Sequence, residues 1–239
     1  MKPEKSIGLS AFALKLIAAV SMITDHVGLL LSQHAGSQWE TLWTGMRIFG
    51  RLAFPLYCFL LAEGFLHTGN VKKYMLRLGI FAVISELPFN YLISQQLFYP
   101  DYQNVMVTLL IGLAMLYLYN GFVSRTQPIY AIMVLISALC LAFAVECDYG
   151  AEGVLMIFLF YLFRFRPLLM IVSVGAVMVL MGGLEVFGLL AFIPILFYNE
   201  KKGGDFIKGQ KAKKAVQYGA YALYPVHLTV LSIISYLLG

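Results

Sequence analysis

Apolar residues in this chain run unbroken instead of alternating with polar ones. Nine continuous stretches stand out, at about residues 11–32, 52–67, 74–93, 105–119, 129–145, 150–163, 168–181, 184–198 and 216–238. The period of two that marks an outer-membrane β-barrel is absent. Such runs predict helices that cross a bilayer, because a spanning helix needs about 20 apolar residues, and fewer where neighbours shelter it. In lipid each backbone polar group has to be paired within its own segment, and a helix does this alone. The expected fold is therefore all-α, a polytopic membrane bundle of about nine transmembrane helices forming one domain over residues 1–239. The sixth to eighth stretches are short and the Gly182-Gly183 break is weak, so a re-entrant hairpin is the alternative there.

Composition narrows the class. The 239 residues are 61% hydrophobic and only 12% charged, against about 25% charged in ordinary soluble domains. That much apolar surface excludes a water-soluble enzyme, a disordered chain and a fibrous one. The net charge of +5 comes from 17 Lys and Arg against 12 Asp and Glu. No nucleic-acid partner is inferred from it, because the basic excess sorts by side of the membrane. With the N-terminus in the cytoplasm, Lys2, Lys5, Lys72, Lys73, Arg125, Arg164, Arg166 and the lysines from Lys201 to Lys214 all fall at cytoplasmic turns. Arg47 and Arg51 fall opposite, with the acidic Asp101, Glu146 and Asp148. This is the positive-inside bias, and it places a multi-pass protein in the cytoplasmic membrane with its N-terminus inside. Residues 199–214 (NEKKGGDFIKGQKAKK) read as a solvated, basic cytoplasmic loop, with a contact surface for anionic lipid or a phosphorylated cofactor as the sharper reading. Cys58, Cys140 and Cys147 form no CxxC pair, so neither a disulfide framework nor a metal site is expected.

Ionisable residues inside spans are expensive, about 2.5–3.5 kcal/mol each at a helix centre, and so they mark candidate chemistry. Asp25, His26, Arg51, Glu86, Asp148 and Glu152 share the outer half of the spans. One polar cavity there, with His227 near its floor, would remove most of their cost. His26 suits general-base work, since imidazole titrates near neutrality. Asp25 and His26 lie about 100° apart on a helix, so Asp25, Glu86 and Asp148 are all candidate partners for the ring. Arg51 suits an oxyanion or an anionic acceptor. Near the opposite face Arg77 and Glu63 are placed to pair, while Glu185 and Lys15 sit at helix ends where side chains snorkel.

These residues fall within recognisable motifs. ITDHVG (23–28), RLAFPLYCFLLAEGFLHTGNVKKYMLRL (51–78), ISELPFN (84–90), DYGAEGVL (148–155) and YALYPVHL (221–228) resemble the TraX family, and the resemblance runs from the first helix to the last. It implies an integral-membrane acetyltransferase acting on pilin. More loosely, the chain is similar to transmembrane acyltransferases that carry an acyl group from cytoplasmic acyl-CoA to an acceptor at the outer face. The positions carried over are Asp25, His26, Arg51, Glu86, Asn104, Asp148 and His227. On this reading Asp25, His26 and Glu86 are catalytic. Arg51, Asn104, Asp148, Glu152, Tyr224 and His227 bind the acceptor, a pilin amine or an envelope glycan or amine. Lys72, Lys73 and Arg77, or the basic loop, meet the phosphates of acetyl-CoA. A proton-coupled transporter and a non-catalytic pilus assembly factor are the competing readings.

Overall fold

A computed structural model of the protein describes residues 8–238; Lys2 and Lys5, assigned above to the cytoplasm, lie outside the described residues. The fold is all-helical. Among the described residues ten α-helices follow one another: α1 (Ala11–His34), α2 (Glu40–Gly50), α3 (Ala53–His67), α4 (Val71–Ser94), α5 (Val105–Val123), α6 (Pro128–Ala144), α7 (Gly150–Phe163), α8 (Pro167–Met181), α9 (Phe192–Leu196) and α10 (Gln210–Leu238). Two 3-10 segments, Ser37–Trp39 and Gly183–Ala191, precede α2 and α9. Among the described residues, five helical segments are long and apolar enough to cross a membrane: Ala11–His34, Ser37–His67, Val71–Ser94, Val105–Val123 and Gln210–Leu238. Four shorter apolar helical stretches lie between the fourth and fifth of these.

The burial pattern is that of a protein solvated by lipid. Leu180, Phe143 and Val83 are 85%, 78% and 77% exposed, whereas Ser21, Ser85, Asn104, Thr108 and Ser235 are fully buried. Water would penalise the first group; acyl chains would penalise the second.

By packing, the chain divides into two compact units. The first takes residues 8–60 and 165–220 and the second residues 61–164 and 221–237, so α3 and α10 each contribute to both. In the first unit α1 starts at Ser10, whose hydroxyl accepts from the Ala13 amide at 3.2 Å. Its opening turn is tied to the 197–202 strip by Leu9 N–H to Phe197 O (2.8 Å) and Ala11 N–H to Lys201 O (2.8 Å). Helix α2 lies along α1 at two glycines. A β-carbon on Gly28 would stand 3.0 Å from the Met46 β-carbon, and one on Gly50 would overlap Asp25. Small residues let membrane helices approach this closely.

In the second unit α5 packs against α4, α6 and α7. Asn70 caps α4 and Asn104 caps α5 through their side-chain oxygens. Pro128 opens α6, a position where its missing amide is harmless. Pro88 and Pro225 lie within α4 and α10, and the Pro88 carbonyl accepts from Ser232 Oγ at 2.7 Å.

Three expected boundaries shift. The second span starts earlier, because the mixed sequence ahead of residue 52 forms the amphipathic helix α2. The eighth stretch is not one α-helix. Gly182 and Gly183 take positive φ of 72° and 55°, and the chain continues as a 3-10 segment before the single-turn α9. Helix α10 begins at Gln210, so the end of the basic 199–214 segment is helical instead of loop.

Candidate functional site

Each unit holds its own buried polar cluster. In the first, Asp25 is 7% exposed on α1 and faces the C-terminal end of α2. Its Oδ2 accepts from Arg47 Nη1 at 2.6 Å and from Arg51 Nη2. Arg51 also donates through Nη1 to Glu185 Oε1 at 2.6 Å. Two carboxylates and two guanidiniums therefore balance, linking α1, α2 and the 3-10 segment before α9. Asp25 Oδ1 is buried without a hydrogen-bond partner, against the bare α-carbon of Gly50. The aspartate thus serves the arginines, and His26, half-buried, follows it by one residue. Thr24 and Met46, neighbours of this network in sequence, help line an open, largely apolar groove of about 590 Å³ with Thr41, Gly45 and Phe49.

The sequence reading placed Glu185 at a helix end and left it to snorkel; the structure makes it a full member of the network. The misassignment has a physical cause. Arg51 and Glu185 are 134 positions apart, and no local spacing signals such a pair.

The second unit gathers Glu86, Asn104, Asp148, Tyr224 and His227 with three residues not singled out in the sequence, Asn90, Tyr102 and Thr108. Asn104 does three things: its Oδ1 caps α5 on the Met106 amide (3.0 Å), while its Nδ2 donates to Ala82 O (2.9 Å) and to Glu86 Oε2. Asn90, with its amide turned to satisfy both ends, donates to Glu86 Oε1 at 3.2 Å and accepts from the Tyr99 amide at 3.3 Å. Both Glu86 oxygens thus meet neutral amide donors. Asp148 accepts from the Tyr102 hydroxyl at 2.6 Å, and Thr108 donates to its backbone carbonyl. The turn presenting Asp148 places Glu146, Tyr149 and Gly150 at φ of 49°, 64° and 48°. Such backbone is uncommon for side-chain-bearing residues. Burial pushes the neighbouring Cys147 thiol up, which keeps it an inert neutral group.

Tyr224, 2% exposed, lies within electrostatic reach of Asp148, Glu86 and Tyr102. His227 Nδ1 is 2.8 Å from the Leu223 carbonyl. That oxygen can only accept, so Nδ1 carries the proton and Nε2 is the basic nitrogen of the neutral ring. Glu152, placed with the acceptor-binding residues above, stands exposed in the first turn of α7, where a carboxylate complements the helix dipole.

The expected Arg77–Glu63 pair does not form. Glu63 pairs with Arg164 at 3.0 Å, while the Arg77 guanidinium lies 5.7 Å and 5.6 Å from the ring centroids of Tyr74 and Tyr221. Lys72 and Lys73 stand exposed at the start of α4. Among the described residues no group of three or more His, Cys, Asp or Glu side chains could hold a metal ion.

These features define a multi-pass, all-helical membrane protein with buried polar chemistry in each of two packed units. The family model described as TraX protein matches residues 10–235. The chain belongs to the TraX family. It is also 32% identical over 254 aligned residues, covering 95% of this chain and 96% of the relative, to a Dichelobacter nodosus protein named "Probable fimbrial assembly protein FimC, serogroup H1". No solved structure matches it.

Proposed function

We propose that the protein is an acyltransferase of the cytoplasmic membrane. It would move an acetyl group from cytoplasmic acetyl-CoA to an extracytoplasmic acceptor, the amine of a pilin or fimbrial subunit or an envelope glycan or amine. The observation that carries this reading is the pair Arg47–Arg51, fixed on Asp25 beside His26. It sets a titratable imidazole next in sequence to the anchor of two permanent cations. Family membership and the fimbrial assembly name of the relative support an acceptor of the pilus type.

His26 takes the proton from the attacking amine or hydroxyl as general base. Arg47 and Arg51 offer N–H donors to the oxyanion that develops as the acyl carbon becomes tetrahedral. Asp25 positions those donors and keeps the network neutral. Acetyl-CoA supplies the acyl group as an activated thioester. Lys72, Lys73 and Arg77 are the cations proposed to meet its phosphates, the two lysines standing exposed.

The test is purified protein in lipid nanodiscs with labelled acetyl-CoA and a mature pilin-subunit peptide. Label should pass to the peptide, and His26→Ala should abolish transfer while leaving the unfolding midpoint in place. Absence of transfer by the parent protein would refute the acyltransferase reading; unchanged transfer by the variant would refute the base assignment. A second reading, a non-catalytic assembly factor, is favoured by the internal neutrality of the Asp25–Arg51 network and by the relative's name. Normal fimbriation in cells carrying His26→Ala would select it.

A further inference from the structure

The residues opening α10 form an unusual start for a membrane helix. Every residue from 210 to 220 is exposed, with Val216 at 41% and Tyr218 at 52%. Lys211, Lys213 and Lys214 lie in this stretch, Lys208 just before it, and Lys201 and Lys202 in the segment leading to it. All belong to the first unit, as does Lys15 of α1. Against these seven lysines, among the described residues, the same region sets Glu200 and Asp205.

The lysines are held together by the backbone. Asn199 N–H bonds to Leu9 O (2.9 Å), while Ala11 and Phe12 donate to the carbonyls of Lys201 and Lys202 (2.8 and 3.1 Å). This pins the basic segment to the first turn of α1. Gly203 takes φ 69° there, and a β-carbon on it would overlap Ser10, so the close approach depends on glycine. Lys202 comes near enough to Lys15 for their like charges to act on each other. Phe206 packs edge-on against Phe12 with centroids 5.5 Å apart and is still 73% exposed.

A fold that pins like charges together on an exposed surface is complementary to an extended anion. Lys211, Lys213 and Lys214 spread along about 5 Å of helix, at 1.5 Å per residue, with Lys208 just ahead of its first turn. They stand exposed along the chain, a form that suits a charged plane better than a single phosphate. Phe206 and Tyr218, exposed in the same stretch of chain, are of the aromatic kind that suits the interfacial zone of a bilayer. We infer that the start of α1, the 199–209 segment and the exposed opening of α10 together form a docking surface for anionic phospholipid headgroups in the leaflet at that end of the spans. This does not depend on the acyltransferase reading.

The test uses the full chain in two kinds of nanodisc, phosphatidylcholine alone and phosphatidylcholine with phosphatidylglycerol, with amide exchange followed over residues 208–220. Exchange should slow by about tenfold or more in the anionic discs, and high salt should reverse the effect, because each lysine near such a surface contributes modestly and additively. Joint replacement of Lys208, Lys211, Lys213 and Lys214 by Gln should erase the lipid dependence. Exchange in α5, far from these positions in sequence, reports whether the variant folds. Equal exchange in both discs overturns the proposal. So does protection by added coenzyme A in phosphatidylcholine discs without protection by phosphatidylglycerol, which would assign the lysines to a soluble phosphate ligand. If the four-fold variant misfolds, the salt and lipid comparison on the parent chain still decides.

Discussion

The two buried clusters solve one physical problem by opposite means. In the first unit Asp25 and Glu185 are neutralised by Arg47 and Arg51, charge against charge. In the second, Glu86 and Asp148 are held by groups with no charge, the amides of Asn104 and Asn90 and the phenol of Tyr102. An arginine brings a permanent opposing charge, because guanidinium does not deprotonate in proteins. A neutral donor brings a hydrogen bond and no opposing charge. The first cluster thus holds two guanidiniums in place against carboxylates, and the second holds its carboxylates by hydrogen bonds alone among the contacts described.

The largest expected effect breaks the first arrangement. Arg51→Ala strands Glu185 and leaves Asp25 with Arg47 alone, and breaking a buried pair by removing one partner typically costs about 3–5 kcal/mol. The unfolding midpoint of the protein in nanodiscs should fall accordingly. Arg51→Ala combined with Asp25→Ala should fall by less than the sum of the two single changes. Additivity would show that the two residues are not coupled and that the charge-against-charge account is wrong.

Much of the fold could be read from continuity of apolar residues alone, because lipid imposes it: all nine stretches contain helix. What could not be read were local events whose cause is tertiary. Helix α2 carries Thr, Arg and Glu among its apolar residues, which reads as a polar outer loop until its glycine-bearing face is seen against α1. Residues 184–198 read as one span, but the backbone there is 3-10 before it is α. The acids and arginine were legible as site residues because ionisable groups are scarce in spans. Their grouping was not. Depth along a helix puts Asp25 and Glu86 at one level, yet each is bound within its own unit by residues that no hydropathy pattern distinguishes, Glu185 in one case and Asn90, Tyr102 and Thr108 in the other. Neutral polar residues carry little signal in an apolar sequence, and the second cluster is made mostly of them.

A change of intermediate size sharpens the contrast from the other side. Asn104→Ala removes the cap of α5, worth about 0.5–2 kcal/mol, and two further hydrogen bonds worth about 1 kcal/mol each. A loss of about 2–4 kcal/mol is expected, read as a drop in unfolding midpoint. Asn104→Asp keeps the cap oxygen but sets a second carboxylate against Glu86. It should still destabilise, since it replaces a donor to Glu86 by a second acceptor. An Asn104→Asp protein with the parent's unfolding midpoint would show that the Asn104 amide does not hold Glu86.

The smallest expected effect isolates one neutral hydrogen bond. Tyr102 donates to Asp148 at 2.6 Å, and its ring stacks on Phe89 with centroids 5.7 Å apart and planes 25° from parallel. Tyr102→Phe keeps the stack and removes only the hydroxyl. Thr108 still anchors the Asp148 carbonyl, and the Gln103 carbonyl still accepts the Asp148 amide at 2.8 Å, so the left-handed turn keeps its shape. The loss should be about 0.5–1.5 kcal/mol, the net worth of one such bond, with amide exchange at residues 146–150 hardly changed. This value sets the scale for the comparison. If Tyr102→Phe destabilised the protein as much as Arg51→Ala, the neutral donors of the second unit would be bearing the same electrostatic burden as the arginines of the first, and the two clusters would be variants of one design.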